Sequence, residues 1–183
     1  YLEHNDTPLA RILHQGEKVL FLKAVTHLLE KALPERHAYP HLYLYVDDLF
    51  KTMHHRKDIF YAYAQLEYIL VHELGYGFDL SSCALCGLEK ELHYISPKSG
   101  RGACTPCGFP FKDKLFAHPW GLFERDNAHT HDDLCQKSLE QIQKSLKITG
   151  FFLSEYVIKQ VRGSSPLPPI RDHFIEMLSQ NVA

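Results

Sequence analysis

The sequence predicts a mainly α fold, a helical bundle with one small, β-prone, cysteine-rich insertion near the middle of the chain. Three observations support this prediction. Most of the chain repeats apolar residues at intervals of three and four, as one face of a helix requires. Prolines and glycines interrupt these stretches at helix-like lengths. Residues 80–110 lack the helical period and contain four of the five cysteines.

Three helices are predicted before the insertion, over residues 17–33, 41–54 and 59–74. In each of them the apolar residues form a stripe wide enough to face a core. Asp58 is the expected N-cap of the third helix, and Gly75 is expected to end it. These stripes are ordinary core patterning and by themselves indicate no function.

Two helical regions are predicted after the insertion. Residues 134–161 form one or two helices, divided near Thr149 and Gly150, because glycine disfavours a helix interior. A proline-rich stretch, residues 166–169, then precedes a last helix over residues 170–178. The predicted organisation is therefore a helical domain over residues 17–183, with residues 1–16 as a leftover strand or a linker.

Four cysteines within the insertion form the pattern C-x2-C-x17-C-x2-C. They are Cys83, Cys86, Cys104 and Cys107. This spacing lets two tight turns each offer two thiolates to one tetrahedral zinc ion. A glycine follows each pair and is expected to take the positive φ that such turns require. The short β-prone stretch and glycine-rich turn over residues 93–102 complete a four-cysteine zinc ribbon, and four thiolates leave no open position, so this zinc is predicted to be structural.

Other chemistries fit the cysteines and histidines less well. Two disulfides are the main alternative, but no leader sequence is visible and a fifth thiol, Cys135, is left over. A catalytic H-E-x-x-H is absent, since the second histidine is missing after His72-Glu73. The histidines and aspartates of residues 129–133 have no ordered spacing and are read as surface. A zinc-dependent or thiol-redox enzyme, and a zinc-braced protein-interaction module without DNA contact, remain open as alternatives.

Composition agrees with a globular protein of 183 residues that is 45% hydrophobic. The chain starts at Tyr1, and no apolar run approaches the ~20 residues of a membrane helix. We expect a monomeric cytoplasmic chain whose beginning has been removed. The net charge of −2 excludes a strongly basic nucleic-acid binder, although residues 83–114 carry five basic and three acidic side chains.

The order of motifs around the cysteines resembles the C-terminal part of the bacterial DNA repair protein family RecO. The specific part of the resemblance begins at Glu73-Leu-Gly-Tyr-Gly77 and continues through Phe78-Asp-Leu80 to the first C-x-x-C-G. Tyr94-Ile-Ser-Pro97, a Gly-x-Gly and the second C-x-x-C follow. Ala32-Leu-Pro-Glu-Arg36 and the segment 151–162 also resemble members of that family, so the resemblance spans most of the chain.

The resemblance implies a non-catalytic recombination mediator. Such proteins bind and anneal single-stranded DNA, contact the acidic tail of single-stranded DNA-binding protein, and help to load RecA together with RecR. Most DNA affinity is expected in an N-terminal oligonucleotide-binding barrel, which this sequence largely lacks. Basic residues on and after the ribbon are a further candidate DNA surface. The nearby aromatic residues Tyr94, Phe109, Phe111 and Trp120 are candidate stacking surfaces. The basic residues are Lys90, Lys98, Arg101, Lys112 and Lys114.

A second basic group lies on the predicted closing helices. Lys147, Lys159 and Arg162 are candidates for binding an acidic partner tail, whose terminal apolar side chain would need a pocket rimmed by positive charge. A solvated helix face is the simpler explanation for each of them taken singly.

Overall fold

The structure, a computed structural model, describes residues 12–119, 139–163 and 166–180. The helices in these ranges are α1 (Gly16–Ala32), α2 (Pro40–Thr52), α3 (Ile59–Val71), α4 (Thr105–Gly108), α5 (Leu139–Phe152), α6 (Lys159–Arg162) and α7 (Pro169–Gln180). A π-helical turn, His72–Tyr76, extends α3, and another, Leu153–Ile158, joins α5 to α6 without a break. The mainly α prediction is confirmed.

Local chemistry explains where several helices begin and end. Leu33 precedes Pro34 and is extended (φ −84°, ψ 129°), so α1 ends one residue earlier than predicted. Pro40 lies in the first turn of α2, where its missing N–H costs no helical hydrogen bond. Asp58 occupies the N-cap position of α3, but the capping prediction is wrong. Its carboxylate makes no capping hydrogen bond, and Oδ2 instead lies 3.3 Å from Nη1 of Arg56.

Of the two alternatives predicted for residues 134–161, one helix or two, the described residues form a single helical run, because α5 passes through both Thr149 and Gly150. A Cβ at Gly150 would lie 2.5 Å from Nη2 of Arg171, so this glycine makes room for an arginine of α7 and does not break the helix. Nε of Arg171 donates to Oε1 of Glu67 at 2.6 Å, and Nη2 donates to Oε2 at 2.9 Å. Both side chains are buried, so an ion pair joins α3 to α7 beneath α5.

The apolar core lies between α1, α3, α5 and α7. Phe174 of α7 is fully buried, with its ring 5.6 Å from that of Phe21 on α1 and 5.0 Å from that of Tyr63 on α3. Ile12, just before α1, is buried in the same core, whereas residues 1–11 lie outside the described ranges. Within these ranges, none of the helices combines the length and apolar character that a membrane crossing needs.

A small antiparallel sheet follows the π-helical turn of α3. Its strands are β1 (Tyr94–Ile95), β2 (Gly102–Ala103) and β3 (Phe116–Ala117), in the order β2-β1-β3. Tyr94 pairs with Ala103 on one side and with Ala117 on the other. We refer to residues 78–118 as the ribbon; it is inserted between α3 and α5, as predicted.

Candidate metal centre

The first cysteine turn of the ribbon is closed by backbone hydrogen bonds. The N–H of Gly87 donates to the carbonyl of Cys83 at 2.9 Å, and the N–H of Cys83 donates to the carbonyl of Leu88 at 2.7 Å. Gly87 has φ +77°, which confirms the positive φ predicted after this pair. The N–H of Ala84 donates to the carbonyl of Gly102 at 2.9 Å, so the turn is fixed against β2.

The second turn uses its glycine differently. Cys104 immediately precedes α4, and the N–H of Gly108 donates to the Cys104 carbonyl at 2.8 Å. The positive φ predicted for Gly108 is wrong, because its φ is −85°. A Cβ at this position would overlap Cδ2 of Tyr94. The absence of a side chain therefore lets α4 approach the ring of a β1 residue.

The two turns bring the four cysteine sulfurs together, all within 4.8 Å of one another. Sγ of Cys86 lies 3.6 Å from Sγ of Cys104, far too long for a disulfide bond. Four Zn–S bonds of ~2.3 Å would place the sulfurs of a tetrahedron about 3.8 Å apart. No disulfide joins any of these four cysteines. The cluster is thus arranged to bind a metal ion, and its geometry fits a tetrahedral site with four thiolate ligands.

The acid–base properties of the cluster also fit a cation. The pKa of the Cys83 thiol is lowered to about 6, chiefly because the backbone N–H of Cys104 hydrogen-bonds its sulfur. The pKa of the Cys107 thiol is raised to about 12, chiefly by the adjacent sulfur of Cys104 and then by that of Cys86. Four sulfurs this close resist simultaneous ionisation unless a positive charge lies among them. Bound metal supplies that charge and holds all four as thiolates.

Aromatic contacts attach the ribbon to the bundle. The ring of Phe78, at the start of the ribbon, lies 4.9 Å from that of Phe152, and the ring of Phe116 in β3 lies 5.3 Å from that of Phe151. Ile95 of β1 is fully buried in the main core. By contrast, the ribbon's own core contains only four buried residues, Cys83, Leu92, Ala103 and Cys104. The inner part of the ribbon thus has little apolar support beyond the cysteine cluster.

All five candidate DNA-contacting residues of the ribbon are exposed, and two of them make contacts within it. Nε of Arg101 lies 3.4 Å from Oδ2 of Asp79. The Ser81 hydroxyl hydrogen-bonds Asp79 and lowers the pKa of its carboxyl, which keeps this partner negative. Nζ of Lys112 lies 5.1 Å above the ring of Phe109. Lys90, Lys98 and Lys114 have no salt bridge to another described residue. A direct role of all five basic residues in DNA binding stays a prediction.

Among the aromatic candidates, Phe109 and Phe111 are 58% and 54% exposed, whereas Tyr94 is half-buried against Gly108. Exposed rings beside lysines have the composition of a surface on which bases stack. Trp120 lies outside the described residues, as do residues 129–133 and Cys135.

The tail-binding candidates do not lie close together on their helix. Lys147 is exposed in a groove between α5 and α7 that Arg171, Asp172 and Glu176 also line, so the groove carries charges of both signs. Nζ of Lys159 lies 2.6 Å from Oε2 of Glu155. Twelve residues separate the two lysines, which is about 18 Å along a helix axis. The side chain of Arg162 lies outside the described residues, and the role of all three stays a prediction.

Comparison with known proteins agrees with the geometry. The family model "Recombination protein O C terminal" matches residues 13–164, which include the ribbon and most of the bundle. The chain belongs to the RecO family. The predicted resemblance is therefore confirmed, and the RecO match includes all four cysteines of the cluster.

Curated RecO proteins match over most of the chain. DNA repair protein RecO of Rhizobium rhizogenes is 33% identical over 152 residues, 81% of this chain and 54% of the relative. RecO of Rhizobium johnstonii is 31% identical over 91% of this chain and 61% of its own length. RecO of a Wolbachia pipientis from Culex pipiens is 30% identical over 88% and 66%, respectively. The chain thus spans between about half and two thirds of these RecO proteins, and no solved structure matches it.

Sequence reasoning missed the buried pair of Glu67 and Arg171. The available signal was a glutamate between apolar neighbours, since Leu66 and Leu70 of the same helix are both buried. A carboxylate in that position requires a buried cationic or hydrogen-bonding partner. Which residue supplies it is decided by the packing of α7, 104 positions further along the chain.

Proposed function

We propose that this chain is the C-terminal, zinc-braced part of a DNA repair and recombination mediator. It is non-catalytic and supports single-stranded DNA binding, strand annealing and RecA loading with its partner proteins. The observation that supports this most directly is that the RecO family match runs through the four-sulfur cluster and the helices on both sides. A bacterial protein with this role works in the cytoplasm.

The metal proposed for the cluster is one zinc ion, bound by Cys83, Cys86, Cys104 and Cys107. Zinc is favoured because it accepts four thiolates in a tetrahedron and because its fixed oxidation state suits a purely structural site. The ion has no open coordination position in such a site, which is consistent with the absence of enzymatic function. Its role is to hold the two cysteine turns and β2 in one rigid unit.

The proposed DNA surface of this part is local. Lys90, Lys98, Lys112 and Lys114 supply phosphate contacts, while Arg101 contributes less because it also pairs with Asp79. The −2 charge of a zinc ion with four thiolates offsets the local excess of two positive side chains, so the intrinsic attraction for DNA is modest. The main DNA affinity of the complete protein resides in the N-terminal barrel of the family, and the ribbon adds to it.

This proposal is tested on a chimaera that joins the N-terminal part of the Rhizobium rhizogenes relative to this chain. We expect the chimaera to bind single-stranded DNA in a salt-dependent manner and to anneal complementary strands. Lys112→Glu with Lys114→Glu should lower the slope of log affinity against log salt by about 0.7 for each phosphate group that the variant no longer binds. Lys23→Glu with Lys57→Glu, two exposed lysines of the bundle, gives the same charge change as a control.

The outcomes separate the parts of the proposal. A chimaera that neither binds nor anneals DNA would contradict the mediator function. Equal salt slopes for the ribbon variant, the control and the unmodified chimaera would remove the ribbon from the DNA surface while leaving the mediator function standing.

Partner binding is proposed for the closing helices. An acidic tail, such as that of single-stranded DNA-binding protein, is proposed to bind beside Lys147 in the groove between α5 and α7, and RecR is a further proposed partner. Lys159 and Arg162 belong to α6, which continues from α5, and are proposed as secondary contributors to tail binding. Lys147→Glu should weaken binding of a fluorescent acidic tail peptide more than Lys159→Glu does. Equal affinities in both variants and the unmodified chain would require the tail site to be sought elsewhere.

A further inference from the structure

A separate cavity of about 350 Å³ lies on the bundle, away from the cysteine cluster. It opens between the segment that follows α1, the π-helical turn at the end of α3, and the last turns of α5–α6. Its volume is near the lower end of small-molecule sites, a size suited to one side chain and not to a large ligand. None of the RecO-like roles proposed above uses it.

Three tyrosine side chains contribute to the wall of this cavity. Tyr39, Tyr76 and Tyr156 all line it, and the rings of Tyr76 and Tyr156 are stacked 5.7 Å apart at 23°. The Tyr76 hydroxyl donates to Oε1 of Gln160 at 2.6 Å, which fixes the orientation of that ring. Because the face of a tyrosine ring carries partial negative charge, such a wall favours a cation.

The formal charge of the cavity is also negative and therefore also favours a cation. With histidine neutral, Glu73 is the only charged side chain among the described residues that line the cavity. No lysine or arginine is among these lining residues. The Glu73 carboxylate is half-buried and has no ion pair within the described part of the chain. A half-buried carboxylate is stabilised by a cationic partner supplied from outside.

Helix ends add to this potential. The cavity is lined by Pro34, just after α1, by residues 73–76 of the turn that ends α3, and by Gln160 near the end of α6. Three helices therefore present their C-terminal ends to one place, against a single N-terminal end, that of α2, whose N-cap residue Tyr39 also lines the cavity. Each C-terminus carries a partial negative charge on its last carbonyl groups, and each one favours a cation nearby.

We propose that this cavity binds an arginine side chain presented by a partner protein. The guanidinium group is planar, stacks on aromatic faces and donates paired hydrogen bonds to a carboxylate, which matches the tyrosines and Glu73. A lysine ammonium group satisfies the charge but neither the stacking nor the paired donation. Phosphate and carboxylate ligands are disfavoured by Glu73 and by the helix ends, so this is not a DNA site.

The test uses the full chain and short peptides whose binding is followed by amide NMR shifts of Gly75, Gly77 and Gly163, which lie at the helix ends around the cavity. The probes are blocked tripeptides, glycine–X–glycine, with arginine, its neutral isostere citrulline, lysine or glutamate at X. We expect the arginine peptide to shift these amides with millimolar affinity, and the citrulline peptide to bind about tenfold more weakly, a loss of ~1.4 kcal/mol. The glutamate peptide should leave them unmoved.

Glu73→Gln keeps the shape of the side chain and removes its charge, so it should reduce the affinity for the arginine peptide by a similar factor. Glu89→Gln, the same change on the exposed ribbon, is the matched control and should have no effect. Spectra of both free variants establish that they remain folded. The proposal is overturned if the arginine and citrulline peptides bind equally, if Glu73→Gln binds as well as the control, or if no shift appears at tens of millimolar. A lysine peptide that binds as tightly as the arginine peptide would overturn the choice of guanidinium.

Discussion

Single residues decide how closely the elements of this protein approach one another. Gly108 and Gly150 both have ordinary helical surroundings, and neither uses the conformational freedom of glycine. Each stands where a side chain from another element occupies the space of a Cβ: Tyr94 at Gly108 and Arg171 at Gly150. At this scale the missing side chain matters more than the backbone angle.

Gly108→Ala should destabilise the protein by about 1–3 kcal/mol, because the new methyl group would overlap the Tyr94 ring. Gly16→Ala is the control, since a Cβ there meets nothing within 4 Å. Urea unfolding of both variants measures the difference. Combining Gly108→Ala with Tyr94→Leu should recover part of the loss, and a double variant no more stable than Gly108→Ala would contradict the steric explanation.

The sequence alone predicted that the four cysteines lie together, but it did not predict these glycine contacts. The cysteine pattern is local, because two residues between the members of each pair are enough to define a turn. The role of Gly108 depends on a strand 14 positions earlier in the chain, and the two residues share no periodic signal. Gly87, whose positive φ is set by its own turn, was predicted correctly for that reason.

At the scale of elements, α3, α5 and α7 are joined by one buried polar group as well as by apolar packing. Arg171 reaches Glu67, while the Thr149 hydroxyl donates to the same carboxylate at 2.5 Å and Arg171 donates to the Leu146 carbonyl at 2.7 Å. The Glu67 charge and its attendant hydrogen bonds stabilise the protonated guanidinium and raise the pKa of Arg171, although burial alone would lower it. The network is well satisfied, so removing one charge leaves the other stranded.

Glu67→Gln should cost about 3–5 kcal/mol of unfolding free energy, because it leaves the buried Arg171 charge with only the exposed carboxylate of Asp172, 3.7 Å from Nη1. Glu140→Gln makes the same substitution in an exposed surface pair with Lys144 and should change stability by less than about 1 kcal/mol. Denaturant unfolding compares them. Replacing both members, Glu67→Leu with Arg171→Met, should restore much of the stability. A double variant less stable than Glu67→Gln would contradict this explanation, because the pair would then stabilise the fold by more than the mutual neutralisation of two buried charges.

The bounds of the helices were largely predictable, whereas their junctions were not. Apolar periodicity and proline positions are read within a few turns, so α1, α2, α3 and α7 fall within a few residues of the predicted spans. The space that Gly150 leaves for Arg171 depends on the packing of α7, and the cavity beside Glu73 is built from the ends of four separate helices. Neither feature has a signature within one window of sequence.

At the scale of the whole molecule, the bundle and the ribbon depend on different stabilising forces. The bundle has a large apolar core, whereas the ribbon's own core consists mainly of the cysteine cluster and two apolar residues, Leu92 and Ala103. We therefore expect a unit with so little apolar burial to require metal binding in order to fold. Loss of the metal should therefore unfold the ribbon before the bundle.

Purified protein should contain one zinc per chain, and Cys104→Ser should lose it. Amides over residues 80–110 should then exchange rapidly, while those of α1, α3 and α7 keep most of their protection. Metal analysis and hydrogen exchange measure the two effects. Cys135→Ser, which removes the fifth thiol, is the control and should keep its zinc. Unchanged exchange in Cys104→Ser would show that zinc does not organise the ribbon, and loss of zinc from Cys135→Ser would contradict the ligand set.

The attachment of the ribbon has a consequence for how this architecture can diversify. Phe78 and Phe116 stand near the two ends of the ribbon, yet they pack on adjacent rings, Phe152 and Phe151, of one helix. When both ends of an inserted segment pack on the same site of the bundle, its interior can change in length or sequence without repacking the bundle. Changes to the interior of the ribbon are therefore expected to leave the packing of the bundle around Phe151 and Phe152 unaltered.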